Sequence, residues 1–180
     1  MSSISVSELS FPLRLGVRRW RIALINGPNM SNLANRDTAR FGPPQTIGQL
    51  ENWVTEIGAQ LGLDVTSMHS NHDGEIIDWV QEHCYGTEID GIVINPAGLT
   101  TYGDHVRHCL EETQLPCIEV HFANIAVTGH QFVFTRSATG ICHGFRKHSF
   151  SAALVAIAGV LDDETFPKRR PPQLCLKPGR

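Results

Sequence analysis

The sequence contains no C-x-x-C pair, no G-x-G-x-x-G or Walker loop, and no apolar run near the roughly 18 residues of a membrane span. Each absence closes off a class. The cysteines, Cys84, Cys109, Cys117, Cys142 and Cys175, are odd in number and widely spaced. That excludes a disulfide scaffold or zinc ribbon and points to a reducing, cytoplasmic compartment, with most thiols packed as small apolar groups. A formal net charge of −3 lacks the basic excess of a nucleic-acid binder. No membrane partner is expected either. The first residues carry Arg14, Arg18 and Arg19 on apolar stretches too broken for a secretory signal. Glu8 and the missing helical stripe argue against an organelle presequence.

What is present is the composition of a globular domain. Hydrophobic residues make up 41% of the 180 residues and charged residues 18%. That length supports one domain with a sizeable core. The tail from Pro167 holds four prolines and five basic residues and reads as an extended arm. The expected division is an N-terminal arm at 1–20, a domain at 21–163 and a C-terminal arm at 164–180. Nine histidines are the other oddity and raise the question of metal.

Hydrophobic spacing orders the domain. The apolar run from Arg21 to Asn26 stops at Gly27-Pro28 and reads as a buried strand. Thr46 then precedes Ile47, Leu50, Trp53, Val54, Ile57 and Leu61 at helical spacing, with Thr46 as N-cap and Gly62 near the end. Further strands are expected over 64–69, 89–95, 117–122 and 139–144, with helices over 74–83, 104–112 and about 150–161. Ser70 or Asn71 is the expected cap of the second helix. This alternation implies a parallel sheet covered on both faces, with ligands outside the carboxyl ends of the strands.

The polar residues at those ends are therefore the candidates. Glu119 and His121 lie two apart, on one face of a strand. A carboxylate beside an imidazole fixes its tautomer and suits it to general-acid work. The alternative is a buried, hydrogen-bonded pair with a structural role. Asn29 can bind a carbonyl or a water, and Arg36 can bind a carboxylate. His105 and His108 share a helix face behind Asp104, but no other ligand pair has matching spacing, so no metal is assigned. No nucleophile elbow occurs.

Taken in order, Asn26-Gly27-Pro28-Asn29, Ser70 to Asp78, Ile94-Asn95-Pro96, Ile118 to His121 and Asn124 resemble the type II 3-dehydroquinate dehydratase family. The resemblance runs from about Arg21 to Val160. It implies an α/β fold, a flavodoxin-like three-layer sandwich with a five-stranded parallel sheet. It also implies a homo-oligomer built of trimers, in some cases a dodecamer. The implied activity is a hydro-lyase reaction through an enolate, on a small oxygenated cyclic substrate, without metal or organic cofactor. By the same resemblance, His121 is the general acid, Glu119 orients it, Asn29 holds a water at the enolate and Arg36 is the lid arginine. Asn95, Asn124, Thr101, Arg107 and Ala123 stand at substrate-binding positions.

The chain departs from that family at the substrate end. Phe41-Gly42 stands where the family's lid has Tyr-Gly, so the phenol that takes the proton is missing. Thr101 replaces a substrate-binding histidine, His108 an aspartate, and Ala123 a serine. The following arginine-rich segment has become residues 126–132, with Arg136 nearby. Tyr102 is the first candidate for a substitute base and His130 the second, while packing against a lid or subunit accounts for Tyr102 at least as well. A remodelled site with an altered substrate fits this pattern. A non-catalytic binding or assembly homologue, or a hydrolase or isomerase reusing the His–Glu pair, are the other readings.

Overall fold

Strand and helix alternate along the chain as the spacing implies. A computed structural model describes residues 14, 16, 18–86, 88–129 and 132–167. Most of the expected arms at 1–20 and 164–180, namely residues 1–13, 15, 17 and 168–180 with Cys175, and the candidate base His130 lie outside the described residues. The strands are β1 Trp20–Asn26, β2 Leu63–His69, β3 Gly91–Asn95, β4 Cys117–His121 and β5 Gly140–His143. The helices are α1 Thr38–Phe41, α2 Ile47–Gln60, α3 Asp73–His83, α4 Asp104–Glu112 and α5 His148–Asp162. The short α1 and the 3-10 turns between elements were not expected from the spacing.

All pairings are parallel, in the order β2-β1-β3-β4-β5. That order makes the fold flavodoxin-like, with its reversal of strand order at β1 and β3. Successive residues of a strand point to opposite faces, which divides the core in two. Ile22, Leu24, Val93, Ile118 and Val120 pack against α2 and α5 through Leu50, Val54, Phe150, Leu154 and Ile157. Ala23, Ile25, Ile92, Ile94 and Cys117 pack against α3 and α4 through Ile76, Val80, Val106 and Leu110.

Local signals explain several boundaries. Thr46 and Gln49 form a reciprocal capping box at the start of α2, as its sequence implies. At α3 the expected cap is corrected: the N-cap is His72, with no side-chain cap bond. Ser70 instead accepts from the His72 amide at 2.8 Å and donates to Glu75 at 2.5 Å. Asn71 is drawn away to the neighbouring loop, where its Oδ1 accepts from the Asn29 amide at 2.8 Å. Cys84, Cys109, Cys117 and Cys142 are free thiols, and burial pushes the Cys84 thiol up to about 12. Such a thiol behaves as a small apolar group. Among the described residues no helix is long and apolar enough to cross a membrane.

Candidate active site

The carboxyl ends of the strands form a row of polar residues. Asn26 is in register with His69 on one side and Asn95 on the other, and His121 is in register with His143. The row sits where an open parallel sheet presents its ligand crevice. A cavity of about 220 Å³ lies there, lined by Asn29, Met30, Arg36, Arg40, Phe41, Asn95, Ala97, Gly98, Thr100, His121, Phe122, Ala123 and Ile125. A larger cavity, about 870 Å³, lies at the opposite end of the strands beside Trp20, Pro116 and Thr139. It holds none of the candidate residues.

Glu119 and His121 meet as their spacing requires. His121 Nε2 is 2.7 Å from Glu119 Oε1, and both side chains are buried. The second carboxylate oxygen, Oε2, accepts from Thr135 Oγ1 at 2.7 Å. The carboxylate is thus fixed from both ends, and the ring's Nδ1 edge remains for a ligand. Phe132 flanks the imidazole, with ring centroids 6.4 Å apart. Sequence reasoning missed Thr135. It comes from a separate 3-10 turn, and no local spacing announces it.

The other side of the cavity is built from tight loops. Gly27 donates its amide to the Asn95 carbonyl at 2.9 Å. A Cβ at Gly27 would collide with the Pro96 carbonyl, so the two strand-end loops touch only because this residue is glycine. Asn29 follows with φ 73°, a left-handed conformation that asparagine tolerates. Its side-chain amide has no partner among the described residues and faces the cavity. Asn95 Nδ2 donates to Asn26 Oδ1 at 3.2 Å, and Asn26 Nδ2 to Glu51 Oε1 at 3.4 Å. Glu51 in turn lies 3.1 Å from His69 Nδ1. This chain holds the Asn95 amide in one orientation.

Rings wall this side of the cavity. The Arg36 guanidinium stacks 4.1 Å above the Phe41 ring, and Phe41 packs against Phe122 with centroids 5.6 Å apart. Burial, and then the charge of Arg40, hold the Arg36 guanidinium below its ordinary range. Phe41 thus occupies the lid position as an apolar wall with no group to exchange a proton.

Several expected residues lie elsewhere. Tyr102, the substitute base, is 61% exposed and does not line the cavity. Buried Leu99 and Gly103, packed on Phe134, anchor its loop and turn the phenol outward. Thr101 is exposed beside it and also stands outside the cavity. Arg107 is buried in α4 between Asp104 and Glu111, at 3.0 and 2.6 Å, and serves that helix. Asn124 caps a 3-10 turn by accepting from the Ala126 amide and lines an adjoining cavity. Arg136 lies 3.7 Å from Asp104, away from the cavity. The histidine pair on α4 is split: His105 binds Asp73 at 2.7 Å, and His108 meets Arg107.

Comparison with known proteins follows the same residues. The family described as Dehydroquinase class II matches residues 20–158. The 3-dehydroquinate dehydratase of Prochlorococcus marinus is 34% identical over 143 residues, covering 78% of this chain and 95% of the relative. That of Caldicellulosiruptor bescii is 32% identical over 145 residues, covering 79% and 99%. Among solved structures, the type II dehydroquinase of Butyrivibrio crossotus superposes with a TM-score of 0.72 at 29% identity, over 77% of this chain and 97% of that one. The Propionibacterium acnes enzyme gives 0.69 at 30% identity, over 77% and 96%. The matches span the sheet, its flanking helices and the buried His–Glu pair, and on that extent the chain belongs to the dehydroquinase class II family.

Proposed function

We propose that the chain is a hydro-lyase of the type II dehydroquinase kind, acting through an enolate on a small oxygenated cyclic substrate. The observation that carries this is the buried Glu119–His121 pair opening onto the cavity, with Thr135 locking its far oxygen. Water is lost from such a substrate when a C–H proton leaves beside a carbonyl, electrons pass into an enolate, and the C–O bond breaks as its oxygen takes a proton. His121 supplies that last proton, and Glu119 stabilises the imidazolium that supplies it. Asn29 and Asn95 bind the oxygens of the substrate and the enolate, the former through an ordered water. The lid's Arg36 adds positive charge beside the developing anion.

The first proton is the weak step here. Phe41 cannot take it, and Tyr102 lies outside the cavity. Solvent or His121 itself must accept it, so turnover of 3-dehydroquinate is slow and a substrate with a more acidic C–H is favoured. Loss of one acid–base group costs about 10²–10⁴ in rate.

The test is incubation with 3-dehydroquinate, followed by the ultraviolet absorbance of the conjugated enone. Slow turnover is expected, abolished in His121→Ala while the fold persists, and raised at least about tenfold in Phe41→Tyr. A chain inert both as wild type and as Phe41→Tyr overturns this function. Buried, free thiols support a reducing, cytoplasmic setting. Assembly as a trimer, or a dodecamer of trimers, belongs to the same proposal.

A further inference from the structure

The loop around Arg36 and Arg40 carries positive charge that no carboxylate among the described residues neutralises. Arg36, Arg40 and Arg146 converge there, and none has a carboxylate in ion-pair range among the described residues. Arg36 has the Phe41 ring, and Arg146 has only the Ala39 carbonyl, at 3.0 Å. The charge of Arg40 already weighs on Arg36. Like charges gathered without a counter-charge stabilise no fold; they stabilise a bound anion.

Arg146 adds a second, independent sign. It holds φ 53°, the left-handed region where a side chain meets its own backbone. Glycine would sit there freely, and arginine does not. Its amide is tied to the Phe122 carbonyl at 2.9 Å, so the loop imposes the conformation. Backbone held in this region by its surroundings clusters at ligand sites.

Space is present between these groups. A second cavity of about 250 Å³ is lined by Ala39, Arg40, Asn124, Val127, Gly144 and Arg146, with Phe122 and Ala123 on its wall. Arg40, Phe122 and Ala123 also line the active-site cavity. The two are therefore adjoining chambers, and the methyl group of Ala123 leaves the boundary low.

The geometry points to a subsite for a doubly charged oxyanion, of the phosphate type, held between the guanidinium groups of Arg40 and Arg146. The planar forks of both suit such an oxyanion. It rests on the proposed function only for the identity of the neighbouring chamber. The anion is either a substituent of the ligand filling that chamber or a free ion beside it.

Calorimetric titration of the full-length protein with inorganic phosphate, at constant ionic strength, tests it. Saturable binding is expected, weakened about tenfold or more in both Arg40→Gln and Arg146→Gly, as for loss of one charge-assisted hydrogen-bond pair. Arg146→Gly relieves the strained φ, so its melting temperature should not fall below that of the wild type, and the loss is then one of binding and not of folding. Glucose 6-phosphate, an oxygenated ring carrying the same dianion, separates the two sources. Tighter binding than phosphate supports the subsite as a substituent pocket, and weaker binding supports it as a free-ion site. No saturable phosphate binding, or binding in both variants as tight as in the wild type, overturns the subsite. A chain that binds phosphate through these arginines yet never dehydrates 3-dehydroquinate sinks the function alone; one that turns over substrate but ignores phosphate sinks the subsite alone.

Discussion

Phe41 stands where the resemblance to the type II family implies a tyrosine, one oxygen atom larger, and its ring is held on both sides. The ring still packs on Phe122 and still stacks under Arg36. Phe41 lines the cavity and is only partly buried, so the packing of its ring does not depend on a hydroxyl. The chemistry does depend on one, since without it the cavity holds His121 as its one proton-transfer group among the described lining residues.

The opposite case is Thr135. Its hydroxyl is the second bond to a carboxylate that is fully buried. Thr135→Val keeps the shape and removes the donor. A buried acceptor left without its partner costs about 1–3 kcal/mol. We therefore expect Thr135→Val to lower the free energy of unfolding by that amount, read from denaturant titration, and to reduce kcat several-fold, with KM little changed. Thr135→Ser should restore both. Equal loss in the serine variant would show that the methyl group, and not the hydroxyl, matters.

These residues show what the sequence makes legible. Glu119 and His121 are read from period two on a strand, because neighbours on one face are fixed by local geometry. Thr135 arrives from another element and leaves no local trace. Tyr102 shows the converse: it is close in sequence to the cavity loop, but the anchoring of Leu99 and Gly103 turns it out, away from the role of base.

At the scale of elements, strand and helix assignments follow from spacing, and their ends depend on competing hydrogen bonds. Thr46 caps α2 because Gln49 answers it three residues on. Ser70 and Asn71 have capping chemistry, yet tertiary partners claim both. The tie between the chain before β1 and the end of α5 is another such contact. Arg14 Nε lies 2.7 Å from Asp162 Oδ2, and Trp20 Nε1 donates to Oδ1 at 2.8 Å. It could not be read from sequence, since the partners are remote and Arg14 stands in a stretch with no periodicity.

That tie has a pH signature. The Arg14 hydrogen bond, chiefly, holds the Asp162 carboxyl at about 2, below its ordinary 3.8. A carboxyl depressed in the folded state binds protons more weakly than in the unfolded chain, so its stabilisation is complete above the ordinary value and is lost as pH falls toward 2. Asp162→Asn should melt a few degrees below the wild type at pH 7, a shift on the scale of about 1 kcal/mol for a domain of this size. The two should converge as pH falls toward 2. A constant gap from pH 7 to 2 would show that packing, and not charge, is at work.

The whole molecule leaves one side of its sheet unfinished. β5 is an edge strand, and edges with apolar groups invite pairing. Ile141 on that strand is 39% exposed, Phe145 just beyond it 64% and Val127 78%. Val127 lines the second cavity with Gly144, the residue that precedes Phe145, so β5 and its following turn meet the Val127 turn beside the anion subsite. A monomer gains nothing by showing three large apolar groups at the rim of its site, and such a patch marks a contact between chains. The proposed trimer would cover it. Light scattering of the purified protein should then give a trimer or dodecamer of the 19.9 kDa chain. Phe145→Glu places a charge in that contact without touching the core, so it should yield monomers with an unchanged far-ultraviolet spectrum. Activity should fall with loss of assembly, because Val127 lines the cavity that adjoins the active site. A monomeric wild type, or an assembly indifferent to Phe145→Glu, would place the contact on another surface.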